Sequence, residues 1–118
     1  MSRDYKLYLQ DILEAIEKIE SYLQGMSFQQ FSQDELRIDA VLRNLEIIGE
    51  ATKNIPPQVR QKYPAVEWRK IAGLRDVAIH AYFTIDLRII WDVVQNKLPG
   101  LRGDVTKILE DETDASTQ

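Results

Sequence analysis

Two stretches of this sequence space their apolar residues by alternating steps of three and four, and that spacing commits most of the chain to helices. Leu9, Ile12, Ile16, Ile19 and Leu23 form the first stripe, which falls on one face of a helix and on neither face of a strand. It predicts a helix from about Asp4 to Gln24, with Gly25 as the stop. Ile38, Val41, Leu45, Ile48, Thr52 and Ile55 form the second stripe, ended by Pro56-Pro57 because proline cannot continue the amide ladder. Ser32 followed by Glu35 resembles a capping box at the start of that second helix. No run alternates with a period of two, and no Asn-Gly or Asp-Gly hairpin turn occurs.

The remaining segments read the same way. Gln58 to Lys62 allows at most a short helix before Tyr63-Pro64. From about Glu67 a third major helix carries Trp68, Ile71, Ala72, Leu74, Val77, Ala78, Ile79 and Ala81. Being apolar on more than one side, it is expected at the centre of the bundle or in a subunit interface. A fourth helix begins near Ile85-Asp86 and runs through Leu87, Ile90, Trp91, Val94 and Leu98. Pro99-Gly100 is expected to break or kink the path before Val105, Ile108 and Leu109. The fold class is therefore all-α, a bundle of four to five helices. The 118 residues make one domain over residues 1–112, with 113–118 as an acidic tail that frays. Two long stripes on so small a chain leave apolar surface for a second copy, so a homodimer is expected.

Composition removes several chemistries. With no cysteine and a single histidine, a disulfide framework, a thiolate metal site and a cysteine nucleophile are excluded, as is a histidine-rich metal site within one chain. No glycine-rich phosphate loop is present, and neither a cofactor nor a metal is expected. No apolar run is long enough to span a membrane, and the first residues lack a signal peptide's apolar core, so the expected setting is cytoplasmic. The net charge of −4 hides a division: residues 37–102 hold 11 lysines and arginines against 7 acids, while both flanks are acidic. That basic middle permits a local anion site.

Attention falls on Arg75, Asp76, His80 and Tyr82 inside an otherwise apolar helix. A buried arginine needs a partner, and Asp76, Glu46 and Glu50 are the candidates. On that reading His80 and Tyr82 are ordinary core residues. The alternative is phosphate chemistry: guanidinium grips phosphate through paired hydrogen bonds, and imidazole exchanges protons near neutral pH. Arg75 and His80 are five residues apart, roughly 140° around an ideal helix, so they do not share a face. Two copies of the helix facing each other would gather both pairs into one cleft. Asp76 lies four residues before His80 and is placed to orient its ring.

Arg75-x4-His80-x-Tyr82 resembles the R-x4-H-x-Y motif of HepT-like toxins, a branch of the HEPN superfamily of small helical ribonucleases. Asn44 to Ala51, Tyr63-Pro64, Trp68, Ile71 to Asp76 and His80 to Phe83 follow the family's pattern in order, over roughly residues 4 to 112. The resemblance implies an all-α homodimer that acts as a metal-independent endoribonuclease toxin. Arg75 and His80 would be catalytic at the subunit interface, with Asp76 in a supporting role. It also implies a partner, a MntA-like nucleotidyltransferase antitoxin that AMPylates Tyr82. Lys53, Arg60, Arg69, Lys70 and Arg88 are candidate guides for RNA phosphates, with surface solubility as the alternative. Glu46 and Glu50 are candidates to hold the arginine or the antitoxin. A different class of function remains beside this one, a noncatalytic helical subunit that binds a nucleotidyltransferase.

Overall fold

The structure, a computed structural model, describes residues 3–84 and 86–116, with side chains as far as Thr113. All regular elements among these are helical, and four helices of eleven or more residues carry the bundle. Helix α1 (Tyr5–Leu23) starts where the Asp4 carboxylate accepts the Lys6 amide at 2.9 Å. It buries the whole first stripe together with Ala15. Gly25, at φ 76°, then turns the chain with a backbone that side-chain-bearing residues avoid.

The segment read as polar contains a short helix, α2 (Phe28–Ser32), which buries Phe31 against Trp91 at 5.5 Å. The capping box belongs to α2: Ser27 Oγ accepts the Gln30 amide, and Gln30 Oε1 accepts the Ser27 amide. The expected Ser32–Glu35 box is not formed. Ser32 is the last residue of α2 and its hydroxyl donates to the Gln29 carbonyl, so Asp34 caps α3 (Glu35–Lys53) by accepting the Arg37 amide at 3.1 Å.

The centre of the bundle is α3. Its predicted stripe is buried, with Ile38 partly so, and Leu42, Asn44, Gly49 and Ala51 are buried beside it. It packs against α1 on one side and the α5 and α6 segments on another. Buried Asn44 and Thr52 donate back to the Ala40 and Ile48 carbonyls one turn earlier, so neither polar group is left unsatisfied.

After α4 (Pro57–Lys62), the predicted third helix divides at Gly73 into α5 (Trp68–Ala72) and α6 (Leu74–Thr84). Trp68 fixes the start of α5 by donating from Nε1 to the Tyr63 carbonyl at 3.0 Å. Only Leu74, Ala78 and Ala81 of α6 are buried, while Tyr82 and Phe83 stand 62% and 76% exposed. Of the two places expected for this segment, the centre of the bundle belongs to α3, and an apolar part of α6 is uncovered in the single chain.

Helix α7 (Leu87–Asp92) follows Asp86, and Ile85, where this helix was expected to begin, lies outside the described residues. Pro99-Gly100, expected to break or kink the path, does not interrupt the helix. A π-helical turn over Val93–Lys97 joins α7 to α8 (Leu98–Ser116). In it the Leu98 amide donates to the Val93 carbonyl five residues back. This wider turn falls immediately before Pro99, the residue that lacks an amide and crowds the preceding turn, so the helix passes through. Helix α8 includes residues 113–116 of the acidic tail, and the last two residues lie outside those described.

Near that end, Glu112 is 3% exposed with Lys62 Nζ 3.3 Å from both carboxylate oxygens. Burial first, and then the Glu112 charge, hold the Tyr5 and Tyr63 phenols above their ordinary range. Because both folded values are raised, this contribution to stability is intact below the ordinary phenol value of about 10 and is lost as pH rises through the raised values. Denaturation series across pH 8 to 12 are expected to show stability declining only above about 10. In Glu112→Gln, absorbance titration of the phenolates should give lower midpoints.

Candidate active site

The site is built on one close approach. Gly49 packs so tightly beneath α6 that a Cβ there would lie 2.6 Å from the Arg75 amide nitrogen and 2.9 Å from the Ala72 carbonyl oxygen. Both neighbours are backbone, so only glycine admits this spacing. Buried Leu74 anchors the start of α6, and the next residue, Arg75, comes out beside Glu50 of α3.

Arg75 Nε lies 2.8 Å from Glu50 Oε1, and Nη1 lies 3.6 Å from Asp76 Oδ1. The Arg75 side chain is 42% exposed, so its guanidinium is half in water, with a fixed carboxylate on its Nε edge. Of the three acids considered as partners, Glu50 makes the short contact, Asp76 the longer one, and Glu46 faces Arg43 at 3.6 Å. A groove of about 440 Å³ opens on this pair, with Asp11, Glu46 and Asn54 in its walls.

His80 lies exposed further along α6. Its carbonyl accepts the Thr84 hydroxyl at 2.9 Å, and among the described residues its ring has no partner. The Asp76 carboxylate turns to Arg75 and makes no hydrogen bond to His80 among these residues. Tyr82 stands out from the same helix with its ring at 5.2 Å from that of Phe83, edge to face. The helix thus buries Leu74, Ala78 and Ala81 and carries Arg75, His80 and Tyr82 on its outer faces.

The candidate phosphate guides are dispersed. Lys53 Nζ shares Glu50 Oε1 with Arg75, at 3.5 Å, so it stands at the site. Lys70 pairs with Glu67 at 2.6 Å, and this hydrogen bond holds the Glu67 carboxyl below its usual range. Arg69 is exposed beside it on α5. Arg88 lies over the Phe28 ring at 4.7 Å, and Arg60 has its Nε buried. The role of Gly49 as a spacer was not read from the sequence. Its signal was a glycine inside an apolar helical stripe, one residue before a glutamate. Among the described residues no three histidine, aspartate or glutamate side chains gather as a metal site would require, and no helix is long and apolar enough to cross a membrane.

The described residues form an all-helical bundle that presents arginine, histidine and tyrosine at the surface of one helix. The chain belongs to the HepT-like ribonuclease family, whose model matches residues 12–108. It is 45% identical over 108 residues to a probable ribonuclease HepT of Thermococcus cleftensis, covering 92% of this chain and 98% of that one. Proteins named as candidate RNases in Methanocaldococcus jannaschii and Caldanaerobacter subterraneus are each 43% identical to it. The first alignment covers 92% of this chain and 90% of the relative, the second 89% and 94%. No solved structure matches the chain.

Two substitutions separate scaffold from site. Gly49→Ala forces α3 and α6 apart and should lower stability by about 1–3 kcal/mol, read as a lower urea midpoint. Glu50→Ala removes an exposed ion pair and should change stability by less than about 1 kcal/mol. A loss as large as that of the glycine variant would make the pair a structural one.

Proposed function

We propose that this protein is an endoribonuclease toxin that works as a homodimer through Arg75 and His80, without a metal. One observation carries the reading: in a chain of this family, the arginine, histidine and tyrosine of the motif all reach solvent from a helix that is otherwise apolar. A structural role would favour their burial. The uncovered Phe83 supports a second copy on this side of the molecule, where two α6 helices would bring two Arg75–His80 sets together.

In the proposed reaction the RNA 2′-oxygen attacks the adjacent phosphorus and the bond to the 5′-oxygen breaks, leaving a 2′,3′-cyclic phosphate and a 5′-hydroxyl. One His80 takes the 2′-hydroxyl proton, and His80 of the second copy gives a proton to the departing oxygen. Arg75 balances charge on the nonbridging oxygens. Glu50 holds the arginine by Nε, Asp76 supports that orientation from 3.6 Å at Nη1, and an arriving phosphate would take the Nη edge in place of the Asp76 carboxylate. Lys53, Arg69, Lys70 and Arg88 guide the strand by charge.

Neutralisation follows the same geometry. A MntA-like nucleotidyltransferase would join the exposed Tyr82 oxygen to the α-phosphorus of ATP, releasing pyrophosphate and the phenol proton. The adenylate adds bulk and negative charge about two turns from Arg75 on the same side of the helix.

The test is cleavage of a broad RNA pool in EDTA by wild type, His80→Ala and Arg75→Ala, each confirmed as a folded dimer. Both variants should lose cleavage by about 100-fold or more. Wild type that is folded, free of adenylate by mass and inactive on the pool would overturn the ribonuclease reading in favour of a noncatalytic subunit for the nucleotidyltransferase.

A further inference from the structure

We infer that the pocket beside Tyr82 is a nucleobase subsite, selective for bases that carry an amino donor, guanine first. Its part in catalysis rests on the ribonuclease reading. The pocket, about 400 Å³, opens between α3 and the end of α6. Its floor is apolar, with Leu42 and Ala81 only 5% and 3% exposed, and its wall is the Tyr82 ring. Its rim carries the Gln33 amide and the Glu35 and Asp39 carboxylates. None of these three side chains has a hydrogen-bond or ion-pair partner among the described residues. An apolar floor, an exposed aromatic ring and unpaired polar groups at the rim suit a small planar ligand.

Charge decides which end of a nucleotide enters. The pocket holds two carboxylates and no cation, so a phosphate is repelled and the base leads. A carboxylate accepts the adjacent N1–H and amino donors of guanine together, and it accepts one amino group of cytosine or adenine. Uracil offers a single N–H flanked by two carbonyls, which the carboxylate repels. Tyr82 and Arg75 lie seven residues apart on one side of α6, about 10 Å along its axis. A base stacked on Tyr82 therefore leaves its phosphate directed toward Arg75. An adenylate carried on Tyr82 would cover the same stacking face.

The test titrates GMP, CMP, AMP and UMP into protein labelled at leucine and alanine methyls. It follows the Leu42 and Ala81 resonances, with sedimentation to report the oligomer. GMP should shift both methyls and bind tighter than UMP by roughly fivefold or more. Asp39→Asn should bring the two to within about twofold, Tyr82→Leu should weaken all four nucleotides by roughly fivefold or more, and Tyr82→Phe should keep the affinity. Unshifted methyls, or equal binding of GMP and UMP, would overturn the proposal. So would conversion of a dimer to monomers by Tyr82→Leu, which assigns the pocket to a second copy. Nucleotide shifts without RNA cleavage would uphold the subsite and reject the ribonuclease reading. Cleavage without shifts would do the reverse.

Discussion

The absence of one side chain sets the spacing on which the site depends. Where α6 crosses α3, backbone meets backbone at Gly49, and the space a Cβ would fill is occupied by the Arg75 amide and the Ala72 carbonyl. That approach brings Glu50 within 2.8 Å of the Arg75 guanidinium. Helices packed through ordinary side chains sit 8–10 Å apart at their axes, and a wider crossing would draw the ion pair apart. A packing feature in the core thereby governs the orientation of a charge in water.

The rest of α6 follows from that contact. Leu74, Ala78 and Ala81 seal it to the bundle, which leaves Arg75, His80 and Tyr82 on faces that carry little of the folding free energy. An exposed ion pair is worth about 1 kcal/mol or less in water, so a phosphate can displace a carboxylate from the arginine without disturbing the core. The glutamate narrows the positions open to the guanidinium while holding it weakly. The buried and the exposed residues of this one helix are thus separable in their effect on stability.

Much of this was legible in the sequence because helical periodicity is local. The α1 stripe from Leu9 to Leu23 is buried as spaced, and Arg75, His80 and Tyr82 fall together on α6, each reaching the surface. Periodicity tells which face a helix buries and not which neighbour covers it, so the apolar Glu67–Ala81 segment read as either central or interfacial, and within the single chain α3 holds the centre. The cap on α3 went to Asp34 because Ser32 was already engaged in α2, a competition invisible without the short helix around Phe31 and Trp91. Asp76, Glu46 and Glu50 were the candidate partners of Arg75 by their positions next to it and on the preceding long helix. Choosing Glu50 needed the crossing at Gly49, a contact between segments 26 residues apart in sequence.

The wide turn before Pro99 also works as a phase corrector. Ile90, Val94 and Leu98 step by four twice in succession, which on an ideal helix would swing the apolar stripe by roughly 80°. The π turn spreads those steps over a broader circuit, so Leu98 returns to the line of Ile90, and both are fully buried. Leu101, Val105 and Ile108 then continue into the core against α1. A sequence irregularity next to a proline thus keeps two helices with different neighbours in angular register along one continuous rod.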